Sequence, residues 1–264
     1  MKYTYEQVAK TIDHSLLHPT MTDAELEHGC RLAARYGVAS VCIKPYAVKR
    51  AAELLQGKGV LVGAVIGFPH GSSTTESKRF ETQLACQDGA GEIDMVINVG
   101  KALSGDWDYV EQDVRAVCEE AHQHGARVKV ILENDYLTKG GAGLSSDELK
   151  QKLCQLCERA GADWVKTSSG YGFVKQADGT YHYQGATEHD LTLMRASVSE
   201  RVQVKAAGGV RDLDGLFKVR DLGASRCGAT ATAAMLDEYQ RRATSEPDGP
   251  GAMAGSGKLG TGGY

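Results

Sequence analysis

Residues 145–170 read SSDELKQKLCQLCERAGADWVKTSSG and contain one complete helix-to-strand unit of the fold. Ser145 and Glu148 have the spacing of a capping box, which marks the first turn of a helix. Apolar residues then recur at helical spacing until Gly161, a typical left-handed helix terminator. The apolar run Trp164–Thr167 that follows predicts a strand buried on both faces.

The same unit recurs on both sides of this stretch. A glycine ends a helical pattern and precedes Ala or Val at Gly37, Gly89, Gly125, Gly161 and Gly223. The predicted strands are Ile12–Leu17, Ser40–Lys44, Leu61–Phe68, Glu92–Val99, Val128–Glu133, Trp164–Thr167, Val202–Ala206 and Ser225–Ala229. One predicted helix begins at Thr22, and the others are Thr75–Asp88, Asp106–His124, Ser145–Ala160, Thr187–Ser197, Asp212–Leu222 and Thr230–Arg242.

Eight strand–helix units in 264 residues favour a single-domain α/β protein, a (β/α)8 TIM barrel over residues 1–244. An open doubly wound sheet is the alternative. No Gly-x-Gly-x-x-Gly follows the first strand, so the sequence gives no support for a dinucleotide site. Residues 245–264 are rich in glycine and predict a flexible tail that ends in Tyr264, a residue able to fold over an active site.

The net charge and the cysteine content indicate which kinds of binding partner and which cellular compartment to expect. The net charge is −4 with both signs interspersed, which predicts neither nucleic acid nor a membrane as a partner. The N-terminus has no apolar signal region, so we expect a soluble cytoplasmic protein. Seven cysteines indicate free thiols, and the Cys154–Cys157 pair lacks the second pair or histidine that a zinc site needs.

Two lysines mark the carboxyl ends of neighbouring strands, where barrel active sites lie. Lys166 and Lys205 each sit in an otherwise apolar run. Either lysine alone could be a structural ion-pair partner. Together, each cation disfavours protonation of the other, and an uncharged lysine can attack a carbonyl group.

Further polar residues in the strands complete a candidate site. Asp94 is predicted to relay protons, or to pair with a structural lysine. Lys129 is expected to balance the charge of Asp94, with Glu133 in the same neighbourhood, and Asp13 to bind a substrate hydroxyl. We group Asp13 and Lys129 as candidate substrate-binding residues.

Glycine-rich turns end the last three strands. Gly170, Gly208 and Gly209 allow backbone N–H groups to approach an anion, and the predicted helix at Thr230 adds its N-terminal dipole. We therefore predict a phosphate site there, although glycines are also ordinary turn residues.

Histidine and cysteine offer weaker candidates. His14 and His18 have metal-ligand spacing and His70 lies at another strand end, so a zinc site is an alternative that the scattered positions disfavour. Cys42 is expected to be a buried thiol with an accessory role at most.

Five motifs, in order, resemble those of deoxyribose-phosphate aldolases. They are Ile12–Leu17, Gly67–Gly71, Glu92–Asn98, Val165–Gly170 and Lys205–Arg211. The resemblance implies a class I aldolase, a carbon–carbon lyase that cleaves 2-deoxy-D-ribose 5-phosphate to D-glyceraldehyde 3-phosphate and acetaldehyde. It needs no cofactor or metal, because a lysine iminium is the electron sink, and it is expected to be a homodimer.

The resemblance also implies roles for individual residues. Lys166 would form the Schiff base, Lys205 would lower the pKa of Lys166, and Asp94 would donate and accept the proton. Gly170, Gly208 and Gly209 would contact phosphate, and Tyr264 would assist proton transfer.

Two departures from the family pattern bear on substrate preference. Ala231 stands where a hydroxyl residue is common, and the Tyr171–Gly185 segment is longer than in many members. The rival functions are a Schiff-base aldolase for another phosphorylated sugar, a zinc aldolase, and a non-catalytic sugar-phosphate-binding barrel.

Overall fold

The computed structural model describes residues 1–245, and its parallel strands close into one barrel, as predicted. The strands are β1 (Ile12–Leu16), β2 (Ser40–Ile43), β3 (Leu61–Ile66), β4 (Glu92–Val96), β5 (Arg127–Ile131), β6 (Trp164–Lys166), β7 (Val174–Lys175), β8 (Tyr181–His182), β9 (Gln203–Ala207) and β10 (Ala224–Ala229). The order around the barrel is β1-β10-β9-β6-β5-β4-β3-β2, while β7 and β8 form a separate antiparallel pair. The predicted tail beyond Ser245, with Tyr264, lies outside the described residues.

Helices follow the strands and cover the barrel. They are α1 (Tyr5–Ala9), α2 (Asp23–Tyr36), α3 (Val48–Leu55), α4 (Thr75–Gln87), α5 (Val99–Leu103), α6 (Trp107–Gln123), α7 (Ser146–Ala160), α8 (Glu188–Ser197), α9 (Leu213–Asp221) and α10 (Thr232–Thr244). None of the helices in residues 1–245 has the length and apolar character needed to cross a bilayer.

The predicted helix signals are confirmed in detail. Thr22 with Glu25 and Ser145 with Glu148 form complete capping boxes. Gly161 closes α7 in the left-handed conformation, with φ of 100°. These local signals fix where α2 and α7 begin and where α7 ends.

Helices α1, α3 and α5 and the β7–β8 hairpin were not predicted. α3 follows a short 3-10 turn, and its first turn has no side-chain cap, so the sequence carries no start signal there. The predicted strand Glu92–Val99 is too long, because Asn98 caps the backbone N–H of Lys101 and α5 begins at Val99. The long segment after β6 contains the β7–β8 hairpin.

Alternate side chains along the barrel strands lie in two different environments. Apolar residues such as Ile93, Val128 and Val204 belong to the main core, which the helices cover. The residues between them include Asp94, Lys129 and Lys205, and Asp94 pairs with both of these lysines inside the barrel. The fold therefore brings charged side chains from non-adjacent strands together inside a closed ring.

Candidate active site

Asp94 on β4 is the centre of the charged interior. Its Oδ2 accepts from the Nζ atoms of both Lys166 on β6 and Lys205 on β9, each at 2.7 Å. Its Oδ1 accepts from Lys129 Nζ at 2.9 Å. Three lysines from three strands thus converge on one buried carboxylate.

A second group of ion pairs contacts the lysines of this centre. Asp13 on β1 contacts Lys205 Nζ at 2.6 Å and Arg226 Nη1 at 2.5 Å. Glu92 accepts from Lys129 at 2.6 Å and from Arg226 Nη2 at 2.7 Å. Sequence reasoning assigned no role to Glu92 or Arg226. The signal available in the sequence was their position. Glu92 lies two residues before Asp94, and Arg226 lies two residues before Gly228, so each lies on the same face of its strand as the later residue.

The charged interior of the barrel contains more basic than acidic side chains. The set contains three carboxylates and four bases: Asp13, Glu92, Asp94, Lys129, Lys166, Lys205 and Arg226. Burial, together with the positive charge of Lys205, holds the pKa of Lys166 below its ordinary value despite Asp94. A lowered pKa favours the uncharged amine of Lys166, the form able to attack a carbonyl group.

Lys205 does not show the reciprocal effect that the sequence suggested. Burial by itself lowers its pKa, but Asp13 and Asp94 outweigh burial and raise the pKa well above the ordinary value. The prediction of mutual destabilisation is therefore wrong for Lys205, because this lysine contacts two carboxylates. Lys205 remains a cation, whereas Lys166 contacts only one carboxylate.

Asp94 and Cys42 have opposite protonation states. Burial raises the pKa of Asp94, but Lys129, Lys166 and Lys205 outweigh it and hold the pKa well below the usual range. Burial raises the pKa of Cys42 to about 11, so its Sγ, 3.8 Å from Asp94 Oδ2, is a thiol. Asp94 is therefore ionised and lies in contact with the amine of Lys166.

The expected charge balance of Lys129 with Asp94 is present. Asp13 and Lys129 are both completely buried, and their charged atoms are engaged within the network. Direct contact of either residue with a substrate stays a prediction.

The glycine turns lie where the phosphate prediction put them. Gly170, Gly208 and Gly209 follow β6 and β9 with φ values of 93°, 88° and 81°, a left-handed region that favours glycine. Thr230 lies just after β10 and is exposed, and no side chain caps the first turn of α10 that follows. Backbone N–H groups of this turn are therefore available to an anion.

A small apolar cavity of about 270 Å³ lies beside the strand ends. Leu17, Val65, Phe68 and Tyr171 contribute to its wall, and the rings of Phe68 and Tyr171 meet edge to face at 5.5 Å. Leu17 and Val65 also pack against Cys42, so the apolar wall reaches the thiol next to Asp94.

The structure does not assemble the alternative metal site. His14 Nδ1 bonds to Thr232 Oγ1 at 2.8 Å, and burial lowers the pKa of this histidine to about 4. His18 bonds to Thr20, and His70 is exposed. Within residues 1–245, no group of three or more His, Cys, Asp or Glu is placed to hold a metal ion. Cys154 and Cys157 are buried in α7 as free thiols.

Known proteins resemble the chain along almost the whole barrel. The family model described as DeoC/LacD family aldolase matches residues 7–241. A deoxyribose-phosphate aldolase of Rhodopirellula baltica is 51% identical over 240 residues, which cover 91% of this chain and 92% of that protein. One of Aciduliprofundum boonei is 41% identical and covers 89% of this chain and 97% of its own length. The tetrameric deoxyribose phosphate aldolase structure from Aeropyrum pernix aligns with a TM-score of 0.77 at 28% identity, over 90% of this chain and 92% of that one.

Proposed function

The chain belongs to the DeoC/LacD family of aldolases, and we propose on that basis that it reversibly cleaves 2-deoxy-D-ribose 5-phosphate to D-glyceraldehyde 3-phosphate and acetaldehyde. The observation that carries the proposal is the shared contact of Lys166 and Lys205 with Asp94 Oδ2. It places two lysine amines, one of them with a lowered pKa, within hydrogen-bonding distance of one carboxylate, a set of groups that suits imine chemistry.

In the proposed reaction, the neutral amine of Lys166 attacks C1 of the open-chain aldehyde. The carbinolamine loses water to give an iminium, and Asp94 takes up and returns the protons of these steps. Removal of the proton from the C3 hydroxyl breaks the C2–C3 bond, which releases D-glyceraldehyde 3-phosphate and leaves an enamine on Lys166. The enamine is then protonated at C2, and water hydrolyses the resulting iminium to acetaldehyde and free Lys166.

The phosphate of the substrate is proposed to bind at the glycine turns. Gly170, Gly208, Gly209 and Thr230 lie around the ends of β6, β9 and β10, next to the uncapped first turn of α10. The helix dipole and the free N–H groups favour a dianionic group there. Ala231 offers no hydroxyl, so backbone groups would carry more of the binding.

We propose a cytoplasmic homodimer as the working form. The support for the compartment is that the cysteines of the chain are free, as is usual in reducing conditions. The support for a dimer is the family resemblance alone, and the relative from Aeropyrum pernix is a tetramer. Light scattering of the purified protein distinguishes these two assemblies.

The central experiment is borohydride reduction in the presence of 2-deoxy-D-ribose 5-phosphate. One adduct per chain is expected on Lys166, together with turnover that survives prolonged treatment with a chelator. Lys166→Ala should abolish both the adduct and turnover. Lys150→Met is the matched control, because Lys150 is a buried lysine that pairs with Asp190 at 2.7 Å away from the site.

Each rival function predicts a different result in this experiment. Loss of activity with the chelator would indicate a zinc aldolase. Trapping and turnover only with another phosphorylated sugar would indicate a different Schiff-base aldolase. Ligand binding without trapping or turnover would indicate a non-catalytic barrel, and an adduct on a different lysine would overturn the assignment of Lys166.

A further inference from the structure

The segment Glu133–Asp135 leaves β5 through an unusual backbone turn. Glu133 has φ of 58° and ψ of 61°, the left-handed region that a residue with a side chain rarely adopts. The backbone N–H of Asn134 donates to Thr167 O at 2.9 Å, so the segment stays attached to the end of β6. The turn carries two acidic side chains that are almost completely buried, Glu133 at 1% exposure and Asp135 at 6%.

Glu133 holds the first glycine turn. Both of its carboxylate oxygens lie within hydrogen-bonding distance of the backbone nitrogen of Ser169, at 3.1 and 3.2 Å. Ser169 immediately precedes Gly170. Gly172 packs directly against this carboxylate, because a Cβ atom at Gly172 would lie 2.7 Å from the Glu133 carboxyl carbon.

Asp135 holds the second glycine turn through the end of the hairpin segment. Its Oδ1 accepts from the backbone N–H of Gln184 at 2.8 Å, and its Oδ2 accepts from that of Gly185 at 3.1 Å. The next residue, Ala186, donates its N–H to Gly208 O at 3.2 Å. A Cβ atom at Gly185 would lie 2.8 Å from the carbonyl carbon of Gly208, so these two backbones are in direct contact.

The two carboxylates therefore fix both ends of the connection between β6 and α8. One end carries Gly170, and the other lies against Gly208. Burial raises the pKa of Glu133 to about 7, against the opposing influence of Ser169 and Lys166, with Asp135 adding to the rise. Burial is also the largest cause of the raised pKa of Asp135. Two acids that are costly to bury thus accept hydrogen bonds from the connection between β6 and α8.

From this arrangement we infer that Glu133 and Asp135 are positioning residues that set the spacing of the Gly170 and Gly208 turns and thereby the affinity for a phosphorylated substrate. The inference rests on the proposed function, since it takes these turns as the phosphate site. Neither residue takes part in bond making or breaking. Their replacement should therefore affect substrate binding and leave the formation of the imine on Lys166 intact.

The test compares two reactions of the same preparation. Asp135→Asn keeps the size of the side chain but provides one acceptor oxygen where the structure uses two, and it turns an NH2 group toward a backbone N–H. Glu133→Met removes both acceptor oxygens from Ser169 at a similar side-chain length. For each variant, kcat and KM are measured with 2-deoxy-D-ribose 5-phosphate, and borohydride trapping on Lys166 is measured with acetaldehyde, which has no phosphate.

We expect each variant to lose about tenfold in kcat/KM through a higher KM, while the rate of acetaldehyde trapping is unchanged. The ratio of the two rates does not depend on the fraction of the protein that is folded. Asp163→Asn is the matched control, because Asp163 accepts the backbone N–H of Val128 at 2.8 Å at the opposite end of the barrel. Its ratio should equal that of the unmodified protein.

Two results would overturn the inference. An unchanged KM in both variants would show that the carboxylates do not set the phosphate turns. A parallel loss of turnover and trapping would show a general structural role. Failure of the proposed function is distinct, because the unmodified protein would then show no turnover of 2-deoxy-D-ribose 5-phosphate.

Discussion

Lys166 and Lys205 donate to the same oxygen atom, Asp94 Oδ2, each at 2.7 Å, yet their surroundings drive their pKa values in opposite directions. Lys205 also contacts Asp13, and Lys166 does not. The additional carboxylate, Asp13, therefore accounts for the opposite directions of the two pKa shifts.

Replacement of Lys205 by methionine tests this division of roles. The change removes the positive charge that contributes to the lowered pKa of Lys166, so that pKa should rise. The rate of borohydride trapping should then require a higher pH, and kcat/KM should fall by about 100-fold or more. The measurement is the trapping rate against pH, with Lys150→Met as the control, and an unshifted profile would show that Lys205 does not tune Lys166.

Arg226→Met tests whether the ion pairs of Arg226 with Asp13 and Glu92 stabilise the folded barrel. Arg226 contacts Asp13 at 2.5 Å and Glu92 at 2.7 Å, and both acids are buried. Removal of one partner from a buried pair costs about 3–5 kcal/mol, so the free energy of unfolding in urea should fall by that amount. Arg50→Met is the control, because its 2.8 Å pair with Glu27 lies on the surface and should matter far less. Equal losses in the two variants would contradict the prediction.

The sequence predicted the parts of the fold that depend on local signals. All eight barrel strands were predicted, several of them as nearly continuous apolar segments, and the capping boxes at Thr22 and Ser145 located two helices. α3 was missed because Ala47 precedes it and supplies no side-chain cap. The β7–β8 hairpin was missed because its two-residue strands are too short to show alternation.

The candidate site was predictable as a set of residues but not as a network. Lys166, Lys205 and Asp94 were found because charged residues in apolar strands are unusual. The opposite pKa shifts of the two lysines depend on Asp13, which lies many residues away and meets Lys205 only when the barrel closes. The roles of Glu133 and Asp135 likewise depend on contacts with Ser169 and Gly185 that no spacing in the sequence encodes.

Gly208→Ala tests the close packing of the second phosphate turn. Gly208 has φ of 88°, and an added Cβ would lie 1.7 Å from the Tyr183 hydroxyl oxygen. The turn must shift, so KM for 2-deoxy-D-ribose 5-phosphate should rise severalfold. Gly125→Ala is the matched control, with φ of 73° and no atom within 4 Å of the added Cβ. It should cost about 1–2 kcal/mol of stability for the backbone conformation and leave KM unchanged. Equal KM values in the two variants would contradict the expected displacement.

His14 should make the protein less stable as the pH falls below the ordinary range of histidine. Burial lowers the pKa of His14 from 6.5 to about 4, so between these values the unfolded chain binds a proton that the folded chain does not. The free energy of unfolding therefore decreases as the pH is lowered through this window, by about 3 kcal/mol at most. His14→Gln retains a group able to bond Thr232 and should remove this part of the pH dependence. Urea unfolding between pH 4 and 7.5 measures it. His18→Gln, at an exposed position, should retain the pH dependence of the unmodified protein, and a parallel response of the two variants would show that buried His14 is not its source.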